Sequence, residues 1–139
     1  MTIMPANRLK LIGWLDTMSN EPIPLNAPSY DPAMNAATRI ENLKIWIGDS
    51  PDDAELRYML AMEYAGAGDD AQAVLCFHEA IQTNPQYPPA YHQAARALQR
   101  LNRIGEARTM LTNGIPIAQR LGNQHAAGEM TDLLNSLDL

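Results

Sequence analysis

The sequence is poor in cysteine, in cationic residues and in long apolar runs, and each scarcity excludes a class of protein. The single cysteine, Cys76, excludes an intramolecular disulfide framework and any metal site built from several cysteines, and it fits a reducing compartment. The net charge of −6 disfavours nucleic acid as the main partner, because phosphate binding needs a basic surface. No apolar run approaches the roughly 20 residues that a membrane-spanning helix needs. We therefore expect a cytoplasmic protein, with no membrane and no nucleic acid among its partners.

The composition is otherwise that of an ordinary globular domain. Hydrophobic residues make up 46% of the 139 residues and charged residues 19%, which predicts one folded domain with a core. Residues 1–31 differ from the rest: an apolar stripe predicts a short amphipathic helix over 5–18, and the prolines between 19 and 31 predict an extended arm. Residues 32–139 show helical periodicity and form the predicted domain.

Two antiparallel helices account for the pattern of residues 54–87. An apolar-periodic run is followed by a Gly-Ala-Gly-Asp turn at 66–69, by a second periodic run and by a stop at Asn84-Pro85. The same pattern returns, with substitutions, 34 residues later over 88–121. Because a fixed period of this length is typical of stacked helical hairpins, we predict an all-α solenoid.

The segments on either side complete the predicted array. Asp31-Pro32 predicts the start of a helix that ends before Pro51, so residues 32–53 are interpreted as a half repeat. Residues 122–139 predict a capping helix, apolar on its inner face and polar outside. Pro116 predicts a kink or a local loosening of the preceding helix near Thr112. The expected fold is an α-α superhelix of about two and a half helical hairpins with a C-terminal capping helix.

The repeated residues resemble the tetratricopeptide repeat family, whose signature places small residues, aromatics and a closing proline at fixed spacing. The first repeat carries Leu60-Ala61, Tyr64, Gly68, Ala73, Phe77, Ala80 and Pro85. The second carries Tyr91, Ala94-Ala95, Leu98, Ala107 and Leu111, and it departs from the pattern at Gly114 and Gln119. The resemblance implies a small bacterial protein, a non-enzymatic scaffold or adaptor that binds a peptide or protein in a concave groove.

The resemblance also implies where a partner binds, because the first helix of each hairpin lines the concave face in this family. Carried over, the partner-binding residues are Tyr58, Met62, His92, Arg96, Gln99 and Arg100. His92, Arg96 and Arg100 are spaced four residues apart, which stacks them on one side of a helix. Because arginine binds carboxylates through two parallel hydrogen bonds, an acidic peptide or chain terminus is the expected ligand.

The charge distribution leaves other interpretations open. Residues 49–79 hold eight acids against one arginine, and residues 80–122 hold five arginines against one acid. The arginines are then a solvated basic face, or they pair with the acidic repeat of a neighbouring copy. Tyr58 and Met62 are explained equally well as core packing. In a further alternative, the N-terminal arm occupies the groove or docks on another copy, which makes a self-assembling homodimer. A regulatory or accessory subunit of an enzyme complex is the third alternative.

Catalytic and metal-binding motifs are not apparent in the sequence. The three histidines lack HExxH or His/Cys ligand spacing, and Cys76 has the features of a small buried thiol. The glycines at 66 and 68 follow a helix, so they mark a turn and not a phosphate-binding loop. We predict no catalytic residue, no metal site and no cofactor. We also expect no binding of heat-shock chaperone tails, because Tyr58, Met62 and Gln93 occupy places of the family's cationic clamp.

Overall fold

The computed structural model describes residues 35–137, and this part of the chain consists of six α-helices. The helices are α1 (Ala36–Asp49), α2 (Ala54–Gly66), α3 (Asp70–Thr83), α4 (Pro88–Arg100), α5 (Ile104–Arg120) and α6 (Gln124–Leu137). The chain divides into a compact unit that ends at Asp52 and a second that begins at Asp53. The all-α prediction is confirmed for the second unit. The predicted N-terminal helix and the proline-rich arm lie outside the described residues.

Helix α1 is the described element of the first unit. It begins at Ala36, because the extended Asn35 caps it and its Oδ1 accepts the Thr38 N–H at 2.9 Å. The predicted start at Pro32 is therefore wrong for this helix, since a nearer capping residue satisfies its first turn. Leu43 and Trp46 are buried, which agrees with one apolar face. The assignment of residues 32–53 to a half repeat stays a prediction.

Side-chain caps begin three of the helices in the second unit. Asp53 accepts the Leu56 N–H at 3.1 Å before α2, Asp69 accepts the Gln72 N–H at 3.2 Å before α3, and Asn123 accepts the Ala126 N–H at 3.1 Å before α6. Each cap satisfies one amide that the first helical turn leaves without a partner. Helix α4 begins instead with Pro88, whose missing N–H is not needed at that position.

The chain reverses after α2, α4 and α5 through residues with positive φ. These residues are Gly68 at 84°, Asn102 at 60° and Gly122 at 76°. At each turn the next amide donates back to a carbonyl of the last helical turn, namely Tyr64 at 2.9 Å, Leu98 at 2.8 Å and Ala118 at 2.9 Å. This arrangement closes the helix ends and sends the chain into the next antiparallel helix. Glycine and asparagine suit these positions because a side chain branched at Cβ is strained there.

Small residues bring the helices of the second unit close together. The alanines at 61, 73, 80, 94, 95, 107 and 118 have no exposed surface, which confirms the predicted packing positions. Phe77, Leu98, Leu111 and Met130 fill the spaces between them and are equally buried. Gly114 has an even tighter environment, because a Cβ there would lie 2.6 Å from the Cβ of Tyr91. The departure of the second repeat at position 114 is therefore a packing requirement.

Helix α5 continues across Pro116 to Arg120. The proline lacks the N–H that would reach the Thr112 carbonyl, and both residues are exposed. The Thr112 hydroxyl donates to the Arg108 carbonyl at 2.8 Å, one turn earlier. The helix runs through the proline, and the kink or loosening near Thr112 stays a prediction.

The first helices of successive hairpins share one side of the second unit. Helix α2 contacts α4, and α4 contacts α6, whereas α3 and α5 make no direct contact within residues 53–137. In a stack of hairpins, the elements that approach each other define the inner side of the curve. We call the surface formed by these three helices the α2–α4–α6 face.

Candidate protein-binding face

Tyr58 and Met62 are the positions that the sequence assigns to the face from α2, and their environments differ. The Tyr58 ring is half-buried and lies 5.8 Å from the Phe77 ring and 5.3 Å from the Tyr87 ring, measured between centroids. Burial raises the pKa of the Tyr58 phenol above 10.0, so the hydroxyl is neutral at physiological pH. Met62, one turn later, has 38% of its surface exposed. Tyr58 therefore packs within the second unit, and Met62 is the more accessible apolar residue.

Helix α4 carries the remaining four predicted residues. His92, Arg96 and Arg100 follow one another at single-turn spacing along the continuous helix Pro88–Arg100, with Gln99 beside the last of them. Arg96, Gln99 and Arg100 are exposed, while the His92 side chain retains only 16% of its exposure. Along α4, the largely covered imidazole of His92 is therefore followed by the exposed guanidinium groups of Arg96 and Arg100.

Arg100 is paired within the protein. Its Nε and Nη2 donate to Oδ1 of Asp70 at 3.0 and 2.8 Å, across the boundary between α4 and α3. The Asp70 side chain is largely covered, with 14% exposed, so this pair is less screened than a surface ion pair. This pair joins the basic helix to the acidic repeat of the same chain. Pairing of acidic and basic repeats between copies stays a prediction.

Arg96 differs from Arg100 in that it makes no hydrogen bond or ion pair with any residue from 35 to 137. Its charge acts on His92, one turn earlier on the same helix. An arginine without a partner carboxylate retains all five N–H donors for a ligand. Among residues 35–137, Arg96 is therefore an exposed cation of the α2–α4–α6 face that has no carboxylate partner.

Glu129 of α6 lies between two histidines. Its Oε2 is 3.7 Å from Nδ1 of His92 on α4, and its Oε1 is 2.9 Å from Nε2 of His125 on its own helix. Burial lowers the pKa of the His92 imidazole below 6.5, Glu129 opposes this shift, and Arg96 adds to it. His92 is therefore neutral near pH 7, and the bridge between α4 and α6 gains charge only in acid.

Asp70 and Glu129 are the two carboxylates beside this face that sequence reasoning did not connect with it. The sequence offers Asp70, with Asp69, as a cap of the second helix of the hairpin, and it places Glu129 on the polar outer side of the capping helix. The spacing of His125 and Glu129, four residues apart on one helix, is a signal visible in the sequence. The approach of Glu129 to His92 depends on how α6 packs against α4 and has no local signal.

Metal sites and membrane-spanning helices have no counterpart in residues 35–137. Within this range, no group of three or more His, Cys, Asp or Glu side chains is arranged to hold a metal ion. Across the same residues, no helix combines the length and the apolar character that a membrane span requires.

Known proteins with similar sequences or structures carry tetratricopeptide repeats. A family model described as tetratricopeptide repeat matches residues 54–87. A TPR repeat-containing protein of Pseudomonas aeruginosa is 29% identical over 99 residues, which cover 71% of this chain and 94% of that protein. The crystal structure of a tetratricopeptide repeat domain protein from Salinibacter ruber superposes with a TM-score of 0.59 and 28% identity, covering 62% of this chain and 96% of the other.

A solved complex shares the fold at lower identity. The first TPR domain of Spaghetti (RPAP3), bound to the HSP90 peptide SRMEEVD, superposes with a TM-score of 0.65 and 18% identity. The match covers 74% of this chain and 77% of that one.

The stacked hairpins and the shared face of their first helices define an α-solenoid of the helical-repeat class. The matches within that class are to tetratricopeptide repeats, and the chain carries such a repeat at residues 54–87. The predicted repeat family and the predicted superhelix are confirmed. The repeat supports a role as a protein-interaction scaffold, and proteins that carry it are generally non-enzymatic.

Proposed function

We propose that the protein binds an acidic segment of a partner protein on the α2–α4–α6 face, with Arg96 as the principal anion-binding residue. The observation that carries the proposal is the state of Arg96, which is exposed and has no ion-pair partner among residues 35–137. The chain has a net charge of −6, yet none of the carboxylates within residues 35–137 pairs with Arg96, which leaves its guanidinium for an external carboxylate. A planar guanidinium binds a carboxylate bidentately and so fixes both the position and the orientation of a ligand.

The neighbours of Arg96 complete a surface for an extended chain. Asp70 holds Nε and Nη2 of Arg100, which leaves its Nη1 amino group for a second carboxylate at an oriented position. Gln99 is exposed beside it and offers one amide donor and one acceptor. On α2, Met62 offers an adaptable apolar contact, and half-buried Tyr58 supports it from within the unit.

The Spaghetti domain supports the acidic character of the ligand, since the peptide bound to it contains adjacent glutamates. We do not extend this to heat-shock chaperone tails, because Tyr58 and Met62 replace cationic clamp positions here. The cytoplasmic location and the homodimer formed through the N-terminal arm stay predictions of the sequence.

The test is the affinity of labelled peptides for the full chain, measured by fluorescence anisotropy at about pH 7.5 and low salt. One peptide alternates glutamate with serine, and its counterpart alternates lysine with serine. We expect the acidic peptide to bind more tightly, and Arg96→Gln to weaken it about fivefold, which corresponds to about 1 kcal/mol for an exposed ion pair.

Arg120→Gln is the matched control, because Arg120 is an exposed arginine on α5, outside the face. This variant removes the same charge and is expected to bind as the wild type does, apart from a small long-range effect that added salt removes. Equal weakening by both substitutions would show general charge attraction and would refute a site centred on Arg96. Unchanged binding in Arg96→Gln would refute it as well.

A further inference from the structure

The α2–α4–α6 face carries a fixed negative charge close to its open cation. Both oxygens of Glu129 face an imidazole, at 3.7 Å from His92 and 2.9 Å from His125, so the carboxylate is held between α4 and α6. About half of the Glu129 side chain stays exposed, so an incoming ligand still meets the charge. Because His92 is neutral near pH 7, it does not cancel that charge under ordinary conditions.

Arg96 and Glu129 both lie near the His92 imidazole. Both act electrostatically on His92, Arg96 from its own helix and Glu129 from α6. Residues four apart on a helix have Cβ atoms about 5–6 Å apart. The Glu129 carboxylate lies a further 3.7 Å from the ring. In an extended peptide, residues two positions apart point to one side about 7 Å apart, and long glutamate and lysine side chains adjust the distance between their charges.

We propose that Glu129 is a specificity-determining residue that makes recognition on this face bipolar: the partner segment presents an acidic side chain to Arg96 and a basic side chain, two positions away, to Glu129. This inference rests on the proposed function, since it assumes that Arg96 binds the partner's carboxylate. A segment that is acidic at both positions meets repulsion from Glu129, and a segment that is basic at both meets repulsion from Arg96. Glu129 thus selects against uniformly acidic segments.

The test compares three serine-based peptides of equal length on the full chain at about pH 7.5. The acidic probe carries glutamate at two positions separated by one residue, and the mixed probes carry glutamate and lysine there, in either order, because the direction of binding is not assumed. We expect the wild type to bind the better mixed probe about two- to fivefold more tightly than the acidic probe, as befits partly screened charges. In Glu129→Gln this preference is expected to disappear or reverse, because the acidic probe binds more tightly and the mixed probe less tightly.

Asp132→Asn is the matched control, since Asp132 is an exposed carboxylate on the same helix and the substitution makes the same charge change. It is expected to leave the ratio of the two affinities as in the wild type. The inference is overturned if Glu129→Gln leaves that ratio unchanged, or if Asp132→Asn changes it equally. If Arg96→Gln weakens binding but the wild type binds the mixed and acidic probes equally well, this inference is overturned and the proposed function is not. Failure of every probe to bind the wild type overturns the proposed function with it.

Discussion

Gly114→Ala is the substitution whose effect follows most directly from the packing of α4, α5 and α6. Gly114 lies on α5, and an added Cβ would lie 2.6 Å from Cβ of Tyr91, 3.0 Å from Cγ of Tyr91 and 3.0 Å from Sδ of Met130. The Tyr91 contact is the critical one, because a Cβ moves only when its backbone moves. Tyr91 is also anchored at its other end, where its hydroxyl donates to the Pro85 carbonyl at 2.9 Å. Relief of the clash therefore requires α5 to move away from α4.

Two effects of opposite sign set the magnitude. Alanine is favoured over glycine inside a helix by about 0.8–1.0 kcal/mol, which stabilises the variant. Overpacking of a well-packed core costs about 1–3 kcal/mol, and the present clash is at the backbone-proximal end of a side chain, where relaxation is hardest. We expect the clash to win and the free energy of unfolding to fall by about 1–2 kcal/mol.

Gly128→Ala provides the matched control, because Gly128 lies inside α6 and a Cβ there would have no atom of the described residues within 4 Å. This variant is expected to gain about 0.5–1 kcal/mol from helix propensity alone. Urea unfolding followed by far-UV circular dichroism should therefore move the two midpoints in opposite directions. A Gly114→Ala variant as stable as the wild type would refute the close approach of α4 and α5.

Two further predictions concern Asn102, in the turn after α4, and the partly buried His92. Asn102→Ala should lower the unfolding free energy by about 1 kcal/mol because φ is positive there, and Asn102→Gly should not lower it; thermal unfolding of both variants checks this. Because burial depresses the pKa of His92 below 6.5, the unfolded chain binds more protons in acid. Stability should therefore be full above about pH 6.5 and decline as the pH falls through the folded-state pKa, and urea titrations should show a smaller decline in His92→Gln. An equal decline in that variant would assign the pH dependence to other groups.

Much of the second unit followed from local sequence signals. The apolar period and the turn residues placed α2 through α6 close to their observed bounds, and the positive φ of Gly68 agrees with its residue type. Helix α1 shows where such signals become ambiguous. Asp31 and Asn35 are both residue types that cap helices, so residue type does not decide between them, and the structure shows that Asn35 caps α1.

The sequence predicted which residues lie on the candidate face, but it did not predict which of its arginines pair with carboxylates of the same chain. The 34-residue period placed His92, Arg96 and Arg100 on one helix, and the observed helix agrees. The sequence did not distinguish the two arginines, which are identical in type and one turn apart. The structure distinguishes them, because Arg100 reaches Asp70 and Arg96 reaches no carboxylate within residues 35–137.

The sequence by itself thus determined the helices, their turns and the family, because these depend on backbone preferences and apolar spacing within a few residues. Tertiary structure alone decided three matters: that position 114 has no room for a Cβ, that Asp70 holds Arg100, and that Glu129 stands beside His92. Each depends on atoms from helices distant in sequence approaching within about 4 Å, the range of direct packing contacts. Local propensity carries no information at that range, whereas the packing of alanine-lined helices sets it.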